Sequence, residues 1–229
     1  MTRPRSIRFT ATSKTGKVSA LLLKPPRARA LLVLGHGAGA GMRHPFMETA
    51  AARLSEQGIA TLRYQFPYME AGRGGPNPPG VLTATVRAAI AAASKEAGRL
   101  PLLAGGKSLG GRMTSLAASL EPLEKVAGLV FFGFPLHAPG KPSAGRGEHL
   151  LDVTVPMLFL QGTRDKLAEL RHLKPLCARL GGKATLHIVE EADHSFHVPK
   201  RTGRTDEEIL EELARVVGEW SVKVTGGSR

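Results

Sequence analysis

In the stretch LLAGGKSLGGRM, residues 102–113, a serine has a glycine two positions to either side, as Gly106-Lys107-Ser108-Leu109-Gly110. Two chemistries use such residues. Gly-Lys-Ser ends the loop that wraps nucleotide phosphates, but that loop needs an earlier glycine separated from the Gly-Lys pair by four residues. Pro101 occupies that place, and the apolar residues that follow it read as a strand, leaving no loop long enough to curl around a phosphate. Gly-x-Ser-x-Gly is the other reading. It belongs to a serine held on a strained strand-to-helix turn, where any larger side chain two positions away would strike the adjoining strand and helix. Ser108 then stands at a helix N-terminus, and the Leu109 N–H can face a developing oxyanion. Taken alone, a serine in a tight turn also serves as an ordinary helix cap.

A nucleophilic serine needs a base to take its proton and an acid to fix the base's tautomer, in the chain order Ser, Asp or Glu, His for this topology. Asp165 comes just after the strand run PMLFLQGTR, and His194 just after ATLHIVEEAD, so both fall at a strand's carboxyl end. The bland alternatives are a helix cap for Asp165 and a surface loop for His194. Asp193 is a poorer acid because adjacent residues seldom point at one another, and His197 is the rival base. A second oxyanion donor is expected from the glycine-rich loop GHGAGAGMRH. In that loop Gly35, Gly37 and Ala40 imitate a dinucleotide fingerprint. The next helix waits until Pro45, however, and IATLRYQFPY offers no acid for a ribose. Cys177 lies in a helical pattern without partners and reads as packing.

Positioning these groups requires strands that alternate with helices. SIRFTAT and KVSALLLKP read as two strands, followed by the buried-strand run ALLVLGHG. Helix PFMETAAARLSEQG precedes strand IATLRYQF, a Pro/Gly-rich loop and an Ala-rich helix from about Val81 to Ala97. Strand LPLLAGG, helix LGGRMTSLAASLE, strand VAGLVFFGF, strand PMLFLQG, helix KLAELRHLKPLCARL and strand ATLHIVE follow. Helix TDEEILEELARVVGEW closes the series, with Thr205 as N-cap to an acidic first turn. The expected class is α/β: a mostly parallel sheet of about eight strands with helices on both faces, folded as a single domain over residues 1–229, binding ligands at the carboxyl ends of the strands.

The net charge of +13 is uneven, since nine Lys and Arg precede the first acidic residue, Glu48. A nucleic-acid surface would interleave aromatics for stacking, and here the basic residues sit among Thr, Ser and Pro, so no nucleic-acid partner is expected. MTRPRSIRFT lacks the apolar core of a secretory signal and no run approaches a membrane span, which points to a cytoplasmic protein without membrane attachment. Arg43, Arg73, Lys107 and Arg112 fall in or beside loops at the carboxyl edge of the sheet, where they would favour an anionic substrate if they surround the cleft.

GHGAGAG, GGKSLGG, LQGTRD and ADHSF, in this order, resemble the α/β-hydrolase superfamily, above all its dienelactone-hydrolase-like branch. Dienelactone hydrolases proper carry cysteine where this chain has Ser108. LRYQFPYMEAGRGGPNPP is similar to small bacterial predicted hydrolases related to the testis-expressed and non-specific-lethal-complex α/β-hydrolase-like domains. The resemblance implies Ser108 as nucleophile, His194 as base and then acid, and Asp165 as the residue orienting His194. It implies an oxyanion hole from the Leu109 and Ala38 N–H groups, with Gly37 and Gly39 as neighbours of Ala38, a structural His36, and neither cofactor nor metal. The short segment between VAGLVFFGF and PMLFLQG leaves no room for a cap domain. Walls are therefore expected from Phe66, Pro67 and Tyr68 on one side and Phe134, Leu136 and His137 on the other. The implied activity is hydrolysis of a small acyl compound by a monomer or homodimer. The alternative is a catalytically silent member of the superfamily that binds a partner.

Overall fold

Strands buried on both faces must be largely apolar, and such runs make up most of the sheet. In the computed structural model, which describes residues 3–138, 140–141 and 143–226, the strands are β1 (Arg5–Thr12), β2 (Gly16–Leu23), β3 (Ala30–Gly35), β4 (Ile59–Tyr64), β5 (Leu102–Lys107), β6 (Val126–Phe132), β7 (Met157–Gly162) and β8 (Ala184–Val189). They lie in the order β1-β2-β4-β3-β5-β6-β7-β8. β1 and β2 pair antiparallel, β2 pairs antiparallel with β4, and every pairing from β4 to β8 is parallel. β3, β4 and β7 are buried along their whole length; β3 is apolar or small throughout, whereas β4 buries Arg63 and β7 buries Gln161 within otherwise apolar runs.

The helices are α1 (Pro45–Glu56), α2 (Pro67–Glu70), α3 (Pro79–Ala97), α4 (Leu109–Leu120), α5 (Leu170–Leu180) and α6 (Asp206–Val224). On one face, Leu82, Val86 and Ile90 of α3, Met113 and Ala117 of α4, and Leu173 and Leu176 of α5 pack with Leu31, Val33 and Phe131. On the other, Met47 and Leu54 of α1 and Ile209, Leu213 and Trp220 of α6 pack with Leu32, Leu34 and Leu158. The expected two-faced α/β arrangement is therefore present. Thr205 caps α6 in a capping box with Glu208, below an acidic first turn.

Boundaries differ from expectation in three places. α3 starts at Pro79 rather than Val81, because a proline in the first turn gives up only an N–H that has no helical partner. α5 starts at Leu170, several residues late, because the Asp165 carboxylate accepts the Leu167 N–H and holds the intervening residues in a turn. The loop after β4 contains the short α2. Between β6 and β7 the described chain carries a 3-10 segment, Gly145–Asp152, in place of any cap. Among the described residues no helix is long and apolar enough to cross a membrane.

Candidate active site

All parallel strands end on one edge, so the residues just past β3, β5, β7 and β8 share it. Ser108 follows β5 and opens α4 with φ +49° and ψ −111°, a conformation costing about 1–3 kcal/mol for a residue with a side chain. Its neighbours explain why it is tolerated. A Cβ on Gly106 would stand 2.4 Å from the Gly35 carbonyl oxygen, and one on Gly110 2.2 Å from the same atom, so only glycine lets β3, β5 and α4 approach this closely. The Ser108 N–H donates to Phe132 O at 3.1 Å. Its side chain makes no capping bond to α4, which removes the helix-cap alternative.

The Ser108 hydroxyl instead lies 2.9 Å from His194 Nε2, and His194 Nδ1 lies 2.7 Å from Asp165 Oδ2. Asp165 is buried. Burial pushes its carboxyl up, but the His194 bond and charge, the Leu167 N–H at 2.8 Å and the Lys107 ammonium together outweigh burial and hold it below the usual carboxylate range. An ionised Asp165 can only accept, so His194 Nδ1 carries the proton and Nε2 turns its lone pair toward the serine. Gln161 also donates to Asp165 Oδ2, while its own Oε1 accepts the Phe134 N–H at 3.2 Å. Sequence reasoning missed Gln161, although a polar residue inside the apolar run of β7 was a usable signal.

The rivals are placed elsewhere. His197 pairs at 2.9 Å with Asp206 on the surface, and that bond pushes its pKa up. Asp193 turns its carboxylate back to the Ser195 and His197 N–H groups, shaping the loop that carries His194. His36 is buried, donates from Nδ1 to Gly37 O at 2.8 Å and accepts the Phe66 N–H at Nε2 at 3.1 Å. Burial lowers its pKa to about 4, so it is a neutral brace between two loops. Leu109 is the first residue of α4, so its N–H has no partner within the helix. The Gly39 N–H is taken by Tyr68 Oη at 3.3 Å, whereas the Ala38 N–H has no protein acceptor among the described residues.

Ser108 and His194 open on a cavity of about 400 Å³ whose walls include Ala38, His44, Phe46, Met47 and Leu167. The expected walls are not its lining. Phe66, Tyr68, Phe134, Leu136 and His137 are all between 0% and 3% exposed and pack inward. Phe66 is tied to His36, Phe134 packs edge-on against Phe131 and Phe159, and the Leu136 N–H donates to Leu167 O. The first turn of α1 supplies the apolar wall in their place. Of the four basic residues expected at this edge, Lys107 lines the cavity, while Arg43 and Arg73 point to solvent and Arg112 is half-buried outside its lining.

A second serine–histidine contact lies on the inner side of α4, where Ser115 Oγ is 2.8 Å from His149 Nε2. Ser115 is buried and its hydroxyl is also 2.9 Å from Arg112 O. Burial first, and then the Arg112 charge, lower the His149 pKa.

Residues 28–222 match the family model of the alpha/beta hydrolase domain. Several solved structures share the fold. A dienelactone hydrolase from Anabaena variabilis ATCC 29413 is similar with a TM-score of 0.75 at 22% identity, over 97% of this chain and 99% of that one. XC6422 from Xanthomonas campestris, an α/β serine hydrolase without lid, gives 0.73 at 19% identity, over 96% of each chain. Est1E from Butyrivibrio proteoclasticus with ferulic acid bound gives 0.67 at 16% identity, over 92% of this chain and 96% of that one.

Proposed function

The chain belongs to the alpha/beta hydrolase family, and we propose that it is a serine hydrolase cleaving an ester or a related activated acyl bond through an acyl-enzyme. One observation carries this reading: the hydrogen-bonded series Ser108, His194, Asp165 beside an open cavity. Ser108 Oγ attacks the acyl carbon as its proton passes to His194 Nε2, and Asp165 stabilises the imidazolium by holding the Nδ1 proton. The tetrahedral oxyanion is received by the N–H groups of Leu109 and Ala38. His194 then protonates the departing alcohol, leaving the acyl group on Ser108. Water, deprotonated by the same nitrogen, releases the acid and returns the proton to the serine.

Within the family we place the chain beside the dienelactone-hydrolase-like branch, with serine in the nucleophile's position. Cys177 is no substitute nucleophile, because burial on α5 pushes its thiol up to about 11. The substrate we infer is a small acyl compound with an apolar part that fits against Phe46, Met47 and Leu167. Ferulic acid in Est1E is a ligand of comparable class in a protein of the same fold. Charge selection is not part of the reading, because the Lys107 ammonium is already engaged with the His194 carbonyl.

The test is rapid-mixing hydrolysis of p-nitrophenyl esters of short acids. An acyl-enzyme predicts a burst of one p-nitrophenol per chain before the steady state. A folded protein that releases none would identify a silent, binding member of the family.

A further inference from the structure

We propose that Lys107 is a positioning residue for the base: its ammonium grips the main-chain carbonyl of His194 and so holds the imidazole over the serine that follows the lysine in the chain. The inference rests on the serine-hydrolase reading above. Asp165 fixes the Nδ1 edge of the His194 ring, and the bonds of Asp193 to the Ser195 and His197 N–H groups close the loop on itself without tying it to the strand that carries the serine. That loop is tight, with Phe196 at φ +65° and Asp193 turned inward on its own chain. Lys107 Nζ reaches the His194 carbonyl oxygen at 2.5 Å. It also lies 5.7 Å from the ring centroids of both Phe46 and Phe196, within range of attraction to a ring face. One side chain therefore ties the end of β5 to the histidine loop and to the first turn of α1, which walls the cavity.

Gly133 stands where the lysine crosses. A Cβ there would be 3.1 Å from Nζ and 3.3 Å from the His194 oxygen, so a glycine leaves the corridor open. The titratable groups facing this ammonium are Asp165 at the end of β7 and Asp193 in the histidine loop, with His194 and His44 lining the same cavity. Burial lowers the lysine pKa, the two aspartates partly restore it, and the result is about 8. An amine still donates an N–H once neutral, but it loses the charge that strengthens the carbonyl bond and the attraction to the two rings. Alignment of His194 with Ser108 should therefore slacken as pH rises through 8.

The same shift acts on stability with the opposite sign. Between the folded value of about 8 and the ordinary lysine value of 10.5, the unfolded chain holds the proton and the folded chain does not. The contribution of Lys107 to stability therefore increases as pH rises across that window. Loss of activity there is loss of alignment, distinct from unfolding.

The experiment follows the second-order rate of fluorophosphonate labelling at Ser108 in wild type, Lys107→Met and Lys107→Arg from about pH 6 to about pH 10, with thermal melts of each. Wild type should label progressively more slowly through a limb centred near pH 8. Lys107→Met should label about 10–100-fold more slowly at neutral pH and lack that limb, as expected for a misplaced base. Lys107→Arg keeps its charge to above about pH 12, so its limb should vanish while its rate stays within about tenfold of wild type. A Lys107→Met protein that labels as fast as wild type with the same alkaline limb overturns the proposal. If neither variant folds, the wild-type profile decides, and a flat rate through pH 8 overturns it. Wild type that does not label at all sinks the serine-hydrolase reading itself, a failure distinct from that of Lys107.

Discussion

Two serine–histidine pairs lie along α4, one at its first turn and one on its inner face, with contacts of 2.9 Å and 2.8 Å. Distance does not separate them. Ser108 stands on a strained turn beside a cavity, and its histidine is held at the far nitrogen by an ionised carboxylate. Ser115 sits in regular helix, buried, beside a histidine whose pKa is lowered by burial and by Arg112. The first arrangement prepares a base to accept a proton and a neighbourhood to receive an anion. The second satisfies two polar groups inside the fold. A serine–histidine hydrogen bond is thus evidence of chemistry only where the backbone exposes the oxygen and an acid fixes the ring.

Substitution at the two serines should break the comparison most sharply. On a p-nitrophenyl short-acyl ester, Ser108→Ala or His194→Ala should lower kcat by up to about 10⁶, with the double variant little worse than either single one. Ser115→Ala should leave kcat within about threefold and cost about 1 kcal/mol of stability, the usual value of one buried hydrogen bond, measured by urea denaturation. Asp165→Asn should be the next largest, about 10⁴ in kcat, because the amide no longer fixes the productive tautomer. Full activity in His194→Ala with loss in His197→Ala would transfer the base to the other histidine.

The elbow itself is a smaller lever. Gly110→Val places a Cβ 2.2 Å from the Gly35 oxygen, so it should destabilise the fold by at least about 1–3 kcal/mol and disturb Ser108, as read from the urea midpoint and kcat together. An ordinary helical glycine would gain stability on the same change. The smallest effect is acid sensitivity at the second pair. The folded pKa of His149 is lowered, so its stabilising contribution is complete above the ordinary value of 6.5 and is lost as pH falls below it. His149→Gln should therefore flatten the decline in Tm between about pH 7 and about pH 5 while kcat at neutral pH is unchanged.

The order Ser108, Asp165, His194 was legible in the sequence because each residue comes within a few positions of a strand's carboxyl end, and parallel strands bring all such positions to one edge. The α/β layering was legible for the same reason: uninterrupted apolar runs must be covered on both faces. The walls of the cavity were not. Phe66, Tyr68 and Phe134 follow β4 and β6 beside the site, yet burying a large ring is favourable by roughly 1.5–3 kcal/mol, and nothing local in the sequence opposes their turning inward. Phe46 and Met47 line the cavity only because α1 docks with its first turn over the sheet edge, a consequence of long-range packing. The engagement of Lys107 with His194 also joins residues far apart in the chain, so composition showed its charge and not its use.

The proposed chemistry requires Ser108, and no other serine, to be the nucleophile. Trypsin cuts after Lys107, Arg112 and Lys125, so Ser108 and Ser115 fall in separate peptides, residues 108–112 and 113–125. Labelling the folded protein with a fluorophosphonate, followed by digestion and mass mapping, should place one adduct per chain on the first peptide and none on the second. An adduct on residues 113–125, or elsewhere, or a folded protein left unlabelled, would contradict the account.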